Sequence, residues 1–313
     1  MTTVTQDPEP VKHGVSEVRP PGYQARQVLA FPTMKTTLKS INQISHLALA
    51  IRTVPSRAFH DHEPHVQETI NRQLVQGRAK NPGLTYEQFA SLNPDYGRII
   101  CISLGYIAEN ADDDQVMHLK SYMGTEEELL NDFNQTIARF NNTFVHDKGL
   151  SYEVPFILSR MNLLKVRCAN RNFATLHRPN GQSHLDLAEF HSQHGAGGRL
   201  PLSLVASMAG VALPGFDFDG PKLAEAFHNG ECRLIARHAE WSVATTLNLL
   251  RILVGDYEAI PCERYYSVEA DGECGHLAAA DANGFCPSVW DERKQLFVSS
   301  DKIPPVLTEQ IAS

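Results

Sequence analysis

The chain is organised from about residue 44 onward by short apolar runs that are followed by amphipathic segments. His46–Ile51 and Arg98–Ile107 are apolar runs of strand length, and both predict buried strands. Three shorter segments also predict strands: Gln115–Tyr122, Thr143–His146 and His184–Leu187. Thr125 and Glu128 form a capping box, and the apolar residues that follow recur at helical spacing, which predicts a helix to about Asn141.

Further helices are predicted on either side of this region. They lie near Glu63–Gly77 (in a polar insert between the first two strands), Val154–Leu164, Leu200–Ala209 and Glu231–Leu253. Three strands, a helix, a strand and then more helices is the order of an RNase H-like α/β fold. We therefore expect a mixed sheet that is flanked by helices on both faces.

The pattern divides the chain into three parts. Residues 1–43 are rich in Pro, Thr and Gln and have little periodicity, which predicts a disordered N-terminal arm. Residues 44–256 form the predicted α/β domain. Residues 257–313 form a C-terminal extension with Gly, Asp and Cys turns and no strong periodicity. The arm and the extension are both candidate contacts for a protein partner.

The composition excludes several classes of protein. Hydrophobic residues make up 42% of the chain and charged residues 20%, as in ordinary soluble domains. There is no apolar run of about 18 residues that would predict a membrane span, and no signal-peptide pattern, so we expect a cytoplasmic protein. The net charge of −8 argues against a generally basic nucleic-acid-binding protein, although it permits a local basic groove.

Six motifs follow one another in a fixed order between residues 44 and 254. They are a strand ending in T-V-P (Ala48–Pro55), N-P-D-Y-G-R-I-I-C-I-S-L-G-Y (Asn93–Tyr106), V-P-F-I-L (Val154–Leu158), L-D-L (Leu185–Leu187), P-L-S-L-V-A (Pro201–Ala206) and V-A-T-T (Val243–Thr246). This order resembles the predicted 3′–5′ exonucleases related to the exonuclease domain of family-B DNA polymerases. The resemblance implies the DEDD exonuclease type of RNase H-like fold. It also implies a hydrolytic site with two Mg²⁺ ions about 4 Å apart.

The positions that the resemblance assigns to metal ligands have mostly lost their carboxylates, so the chain is a degenerate member. The first-strand Asp-x-Glu falls on Ala50 and Arg52, and the second-motif Asp falls on Glu153. The Tyr and Asp of the last helix fall on His238 and Ser242. An arginine is permanently charged, and about 4 Å from a divalent ion it would repel that ion by roughly 2–8 kcal/mol. We therefore predict no bound metal, no other cofactor and no two-metal hydrolysis.

Three functions stay open at this point. The first is a catalytically inactive domain that binds single-stranded DNA or RNA, or acts as an accessory subunit in DNA or RNA processing. The second is an active 3′–5′ exonuclease with Mg²⁺ or Mn²⁺ at a reduced site made of Asp147, Glu153 and Asp186. Asp147 aligns with an asparagine of the family's second motif, with one residue inserted before Glu153. The third is a protein-interaction scaffold.

Basic residues after the second motif are candidate nucleic-acid contacts. Residues 154–185 contain five of them and no acid, with one aromatic ring that could stack on a base. Together with Arg52, the candidates are Arg160, Lys165, Arg167, Arg171, Phe173 and Arg178. The alternative is a solvated helix end and loop. Arg52 also has two interpretations, because it could pair with Glu153 to stabilise the core or bind a phosphate bidentately.

Overall fold

The computed structural model describes residues 44–109, 114–175, 183–191, 200–211, 220–268, 274–276, 289–291 and 296–298. The predicted N-terminal arm, residues 1–43, and the candidate contact Arg178 lie outside these ranges.

Seven strands of the described chain form one mixed sheet. In chain order they are β1 (His46–Pro55), β2 (Gly97–Glu109), β3 (Gln115–Tyr122), β4 (Thr143–His146), β5 (His184–Asp186), β6 (Tyr265–Val268) and β7 (Cys274–His276). Their order across the sheet is β5-β4-β1-β2-β3-β6-β7. The β1–β2, β2–β3 and β6–β7 pairs are antiparallel, whereas β1–β4, β4–β5 and β3–β6 are parallel. A separate hairpin pairs β8 (Val289–Asp291) with β9 (Leu296–Val298).

The helices come from the segments between and after these strands. They are α1 (Pro64–Arg78), α2 (Tyr86–Ser91), α3 (Glu126–Ile137), α4 (Val154–Leu163), α5 (Arg171–Ala174), α6 (Leu187–His191), α7 (Leu202–Met208), α8 (Gly220–His228) and α9 (Cys232–Leu253). Thr125 caps α3 with the predicted capping box, in which its side chain accepts from the backbone of Glu128. A π-helical turn, Gly149–Glu153, leads directly into α4. Within the described ranges, no helix combines the length and apolar character that crossing a membrane requires.

The side chains of β1 alternate between the two faces of the sheet, and helices cover both faces. Leu49 and Ile51 point to one face, where they join the core formed with α3 and α4. Ala48 and Ala50 point to the other face and pack with Trp241 and its neighbours on α9. The predicted RNase H-like α/β fold, a mixed sheet with helices on both faces, is thereby confirmed.

Helix α9 packs closely on β2 because a glycine lies beneath it. A Cβ atom on Gly105 would lie 2.6 Å from Cγ1 of Val243 on α9 and 2.6 Å from Cδ2 of Leu119 on β3. Only a residue without a side chain leaves room for this approach. The close contact fixes the position of α9, which carries two of the degenerate ligand positions.

The first part of the predicted C-terminal extension belongs to the domain. Strand β6 pairs in parallel with β3, and Tyr265 is buried. Asn248 of α9 donates to the Tyr265 hydroxyl (2.7 Å) and to the carbonyl oxygen of Ile260 (3.2 Å), and it accepts from the Ile260 N–H (2.8 Å). Residues 257–268 therefore add a strand to the sheet and side chains to its core.

Candidate functional site

A cavity of about 160 Å³ lies between β1, α9 and the turn that follows β4. Its lining is Leu49, Ala50, Ile51, Arg52, Asp147, Lys148, Tyr152, Glu153, Leu202, Ser242 and Thr246. The fold therefore brings together four of the five degenerate ligand positions and the neighbouring Asp147. The fifth position, His238, contacts the cavity residue Arg52.

Arg52 joins the first strand to the last helix. Its Nε donates to Nδ1 of His238 (2.8 Å), and its Nη2 donates to the His238 carbonyl oxygen (2.8 Å) and to Oγ of Ser242 (2.5 Å). Its Nη1 donates to the carbonyl oxygen of Ile51 (2.7 Å). These bonds use four of the five N–H groups of a guanidinium and hold it in one orientation.

The expected pairing of Arg52 with Glu153 is wrong. Arg52 still lowers the pKa of Glu153 through its charge, so the two groups are close. The guanidinium donates to α9 instead, because His238 and Ser242 offer acceptors at the distance and angles of its planar fork.

His238 accepts a hydrogen bond from Arg52 on Nδ1, so that nitrogen has no lone pair left for a proton. Burial and the adjacent Arg52 charge both lower the pKa of His238 well below its ordinary value. The imidazole is therefore neutral and carries its proton on Nε2. This arrangement does not suit a general base that faces the cavity through Nδ1.

The π-helical turn accommodates the residue inserted between Asp147 and Glu153. The Glu153 N–H donates to the Lys148 carbonyl oxygen (3.3 Å), an i→i+5 bond that encloses one residue more than an α-helical turn. Gly149 permits the tight path, since a Cβ there would lie 2.0 Å from the ring of His146. The turn places Glu153 in the wall of the cavity.

Both acidic side chains that line the cavity ionise at a higher pH than usual. Burial raises the pKa of Glu153 to about 8, although Arg52, the Ile51 N–H and Lys148 oppose the shift. Burial also raises the pKa of Asp147 to about 7, with Glu153 contributing in the same direction. At pH 7 Glu153 is therefore mostly protonated, and Asp147 is about half protonated.

Asp186, the third candidate acid, has a structural role. Its Oδ2 accepts from the Leu150 N–H (3.0 Å) and its Oδ1 accepts from the Ala188 N–H (3.0 Å). It therefore ties the turn before α4 to the start of α6, and it is not part of the cavity lining.

A two-metal site needs several ionised carboxylates that converge on two ions. The cavity offers Asp147 and Glu153, both with raised pKa values, beside a fixed guanidinium. No group of three or more His, Cys, Asp or Glu side chains in the described ranges is arranged to hold a metal ion. The donor set does not fit two divalent ions.

Two of the predicted nucleic-acid contacts are corrected. Arg160 makes a bidentate ion pair with Glu126, from Nε to Oε1 (2.8 Å) and from Nη2 to Oε2 (2.6 Å), and its Nη1 donates to the Pro94 carbonyl oxygen. These bonds fix α4 to α3 and leave the guanidinium unsuited to a phosphate. Phe173 is 0% exposed and packs edge-on against Phe144, so no base can stack on it.

Lys165, Arg167 and Arg171 are exposed, as a basic surface requires. They lie beyond the C-terminal end of α4, whereas Glu153 lies at its N-terminal end. A ten-residue helix is about 15 Å long, so Lys165, just after α4, lies roughly that far from Glu153. We call these three residues the α4-end basic cluster.

Three polar residues of the cavity lining, Lys148, Tyr152 and Thr246, were not predicted as site residues. Thr246 follows Ser242 by four residues on α9, so helical periodicity could have found it. Lys148 follows Asp147 directly, and it lines the cavity because the π-helical turn begins there. Sequence periodicity gives no comparable signal for that turn.

A comparison with family models identifies the family of the chain. A family model described as a predicted 3′–5′ exonuclease related to the exonuclease domain of PolB matches residues 89–254, more than half of the chain. The chain belongs to this family of polymerase-B-exonuclease-like proteins, as its motif order predicted.

Among solved structures, the family B DNA polymerase from the hyperthermophilic archaeon Pyrobaculum calidifontis is similar at 15% identity and a TM-score of 0.44. The match covers 67% of this chain and 24% of the polymerase, so the chain corresponds to about a quarter of that protein. A comparison with curated proteins found no match.

Proposed function

We propose that this protein is a polymerase-B-exonuclease-like domain that binds single-stranded nucleic acid without hydrolysing it, as an accessory component of DNA or RNA processing. One observation carries the proposal. The guanidinium of Arg52, held by His238 and Ser242, occupies the seam between β1 and α9 where the family presents carboxylates to metal.

The fixed orientation of Arg52 favours metal loss over metal retention. A mobile arginine could swing away from an incoming ion, but four hydrogen bonds restrain this one. A divalent ion about 4 Å from it would meet a repulsion of roughly 2–8 kcal/mol. The raised pKa values of Glu153 and Asp147 reduce the compensating negative charge in the cavity. We infer that neither Mg²⁺ nor Mn²⁺ is a cofactor.

The same groups favour an anionic ligand. Arg52 and Lys148 are cationic, and the raised pKa values of Glu153 and Asp147 reduce the negative charge that would repel a phosphate. The α4-end basic cluster is exposed and offers further phosphate contacts beyond the C-terminal end of α4. An extended single strand of nucleic acid is long enough to contact both the cavity and the α4-end basic cluster.

The alternative is an active exonuclease with a reduced carboxylate site. It is supported by the presence of Asp147 and Glu153 in the wall of one cavity. Asp186 does not strengthen it, because both of its carboxylate oxygens accept backbone N–H groups.

Degradation of 3′-labelled single-stranded DNA and RNA separates these functions. We expect no shortening with either Mg²⁺ or Mn²⁺. Metal-dependent shortening that disappears in Glu153→Gln would establish the reduced-site exonuclease and refute the proposal.

Binding is tested by fluorescence anisotropy across a range of salt concentrations. Replacing the α4-end basic cluster with alanines should weaken binding, and loss of three phosphate contacts should reduce the salt slope by about 2. The charge-matched control replaces Arg72, Arg78 and Lys80, three exposed basic residues on or just after α1, and should bind as the wild type does. Absence of binding by the wild type would favour a protein-interaction scaffold.

A further inference from the structure

Helix α4 ends in a backbone cap that usually contains glycine. In this cap one residue adopts the left-handed conformation, and the N–H of the next residue donates to a carbonyl oxygen five residues earlier. At the end of α4 the left-handed residue is Lys165, with a φ of 58°. The Val166 N–H donates to the Met161 carbonyl oxygen (2.8 Å), and both side chains join the same buried core cluster. The cap is therefore complete, although its left-handed residue carries a long side chain.

Three other helices of the described chain end in the same cap, and each has glycine at the left-handed position. These residues are Gly210 after α7, Gly230 after α8 and Gly255 after α9, with φ values of 72°, 76° and 96°. The residue after each glycine donates its N–H to the carbonyl oxygen five residues earlier, as Val166 does. Within the described ranges, Lys165 is the one residue other than glycine with a positive φ. A left-handed residue with a Cβ atom is strained, and the attraction of a cation to a helix C-terminus offsets only part of that cost.

The loop that follows Lys165 is held firmly against α3. Asn134 of α3 fastens its backbone at two points, because Nδ2 donates to the Arg167 carbonyl oxygen (3.0 Å) and Oδ1 accepts from the Ala169 N–H (2.7 Å). Asn170 is 3% exposed, and its Nδ2 donates to two carbonyl oxygens at or just after the end of α3 (2.6 Å each). These bonds fix the backbone of the loop in one position.

The fixed loop presents the α4-end basic cluster to solvent. Lys165, Arg167 and Arg171 are exposed, and the residues between them include the buried Val166 and Asn170. Within the described ranges, no hydrogen bond or ion pair occupies the charged end of any of the three basic side chains. The whole segment from α4 to α5 contains no acid. A backbone that is already ordered loses little entropy when an anion binds to it.

We propose that the α4-end basic cluster is a preorganised site for the phosphates of single-stranded nucleic acid, and that Asn134 is its positioning residue. The inference rests on the proposed function, and it names the surface that binds the backbone of the strand. Lys165 keeps its strained conformation because its ammonium group contacts a phosphate. Phosphates carry no sequence information, so this site binds strands of any sequence.

Lys165→Gly separates a binding role from a structural one. Glycine relieves the strain, so the melting temperature should rise by about 2–4 °C. The same variant should bind oligothymidylate more weakly, and its salt slope should fall by about 0.7, the value for one phosphate contact to a single strand. The charge-matched control is Lys80→Gly, at an exposed position just after α1, which should bind as the wild type does. Wild-type affinity in Lys165→Gly, or a lower melting temperature, would overturn the role of Lys165.

Asn134→Ala tests the positioning role without a change of charge. Release of the loop should weaken binding of the same oligonucleotide by roughly 3–10-fold, because the site must then be ordered on binding. The matched control is Asn131→Ala on the same helix, whose side chain donates within α3 to the Glu127 carbonyl oxygen (2.9 Å) and which should bind normally. Both variants are assayed well below their melting temperatures, so unfolding does not contribute. Equal affinities of the two variants would refute preorganisation.

The outcomes for the wild type distinguish this inference from the proposed function. If the wild type binds oligothymidylate and the variants bind it equally well, this inference fails and the proposed function stands. If the wild type binds no oligonucleotide, both fail. Phosphatidylserine vesicles provide a second probe of the same phosphate chemistry. Vesicle binding that is lost in Lys165→Gly, without oligonucleotide binding by the wild type, would assign the cluster to a membrane surface and overturn the inference.

Discussion

Replacing Arg52 with alanine tests whether this residue is a structural clamp or a phosphate ligand. The change removes four hydrogen bonds from a charged donor, three of which join β1 to α9. Each such bond contributes about 1.5–3 kcal/mol, but the contributions overlap, and the variant also regains the cost of burying the guanidinium. We therefore expect a net loss of roughly 3 kcal/mol. In a domain of this size that loss lowers the melting temperature by about 6–12 °C.

Urea unfolding and thermal melting, followed by circular dichroism, measure the effect. Arg52→Lys keeps the charge without the planar fork and should lose most of the same stability. The control is Arg171→Ala, an exposed arginine whose removal should change stability by no more than about 0.5 kcal/mol. If Arg52→Ala unfolds like the wild type yet binds nucleic acid more weakly, Arg52 is a phosphate ligand and the clamp is refuted.

Three other predictions follow from the packing and the charges. Arg160→Ala should cost roughly 3 kcal/mol, because it leaves the Glu126 carboxylate without its ion-pair partner where the two side chains are only 12% and 10% exposed. Nucleic-acid affinity measured below the new melting temperature should not change. Gly105→Ala should lose about 1–3 kcal/mol in a urea titration through overpacking, whereas Gly83→Ala, whose new methyl group has its nearest neighbour at 3.8 Å, should not. The raised pKa of Glu153 means that the folded state holds a proton that the unfolded chain releases, so stability should fall by roughly 2 kcal/mol as the pH rises from 6.5 to 8. Glu153→Gln should lose most of that pH dependence. A wild type whose stability is constant over this pH range would contradict the raised pKa of Glu153.

Strands and helices with strong local patterns could be predicted closely from the sequence. Strands β3 and β4 have the predicted bounds, and the capping box of α3 is formed by the predicted pair. Periodicity works here because each segment buries one face against a single neighbouring layer. The short helices α2 and α8 were not predicted, since six and nine residues give too few turns for a clear period.

The sequence predicted part of the candidate site's membership and not its bonding. Motif order placed Ala50, Arg52, Glu153 and Ser242 together, and they line one cavity. Which group Arg52 would contact depended on the depth of α9 against β2, a tertiary distance that no local pattern encodes. The burial of Phe173 was missed for the same reason. Basic neighbours in the sequence predict an exposed residue, and only the tertiary packing shows that Phe173 is buried.

The pairing of β6 with β3 has a consequence for how the protein is made. About 150 residues separate Met117 from its partner Tyr265, so a ribosome takes roughly 7–30 s to deliver the second strand after the first. During that interval the outer side of β3 is an open template for another chain. Newly synthesised protein should therefore depend on chaperones more than its size suggests, and production at low temperature or with co-expressed holdases should raise the yield of native molecules.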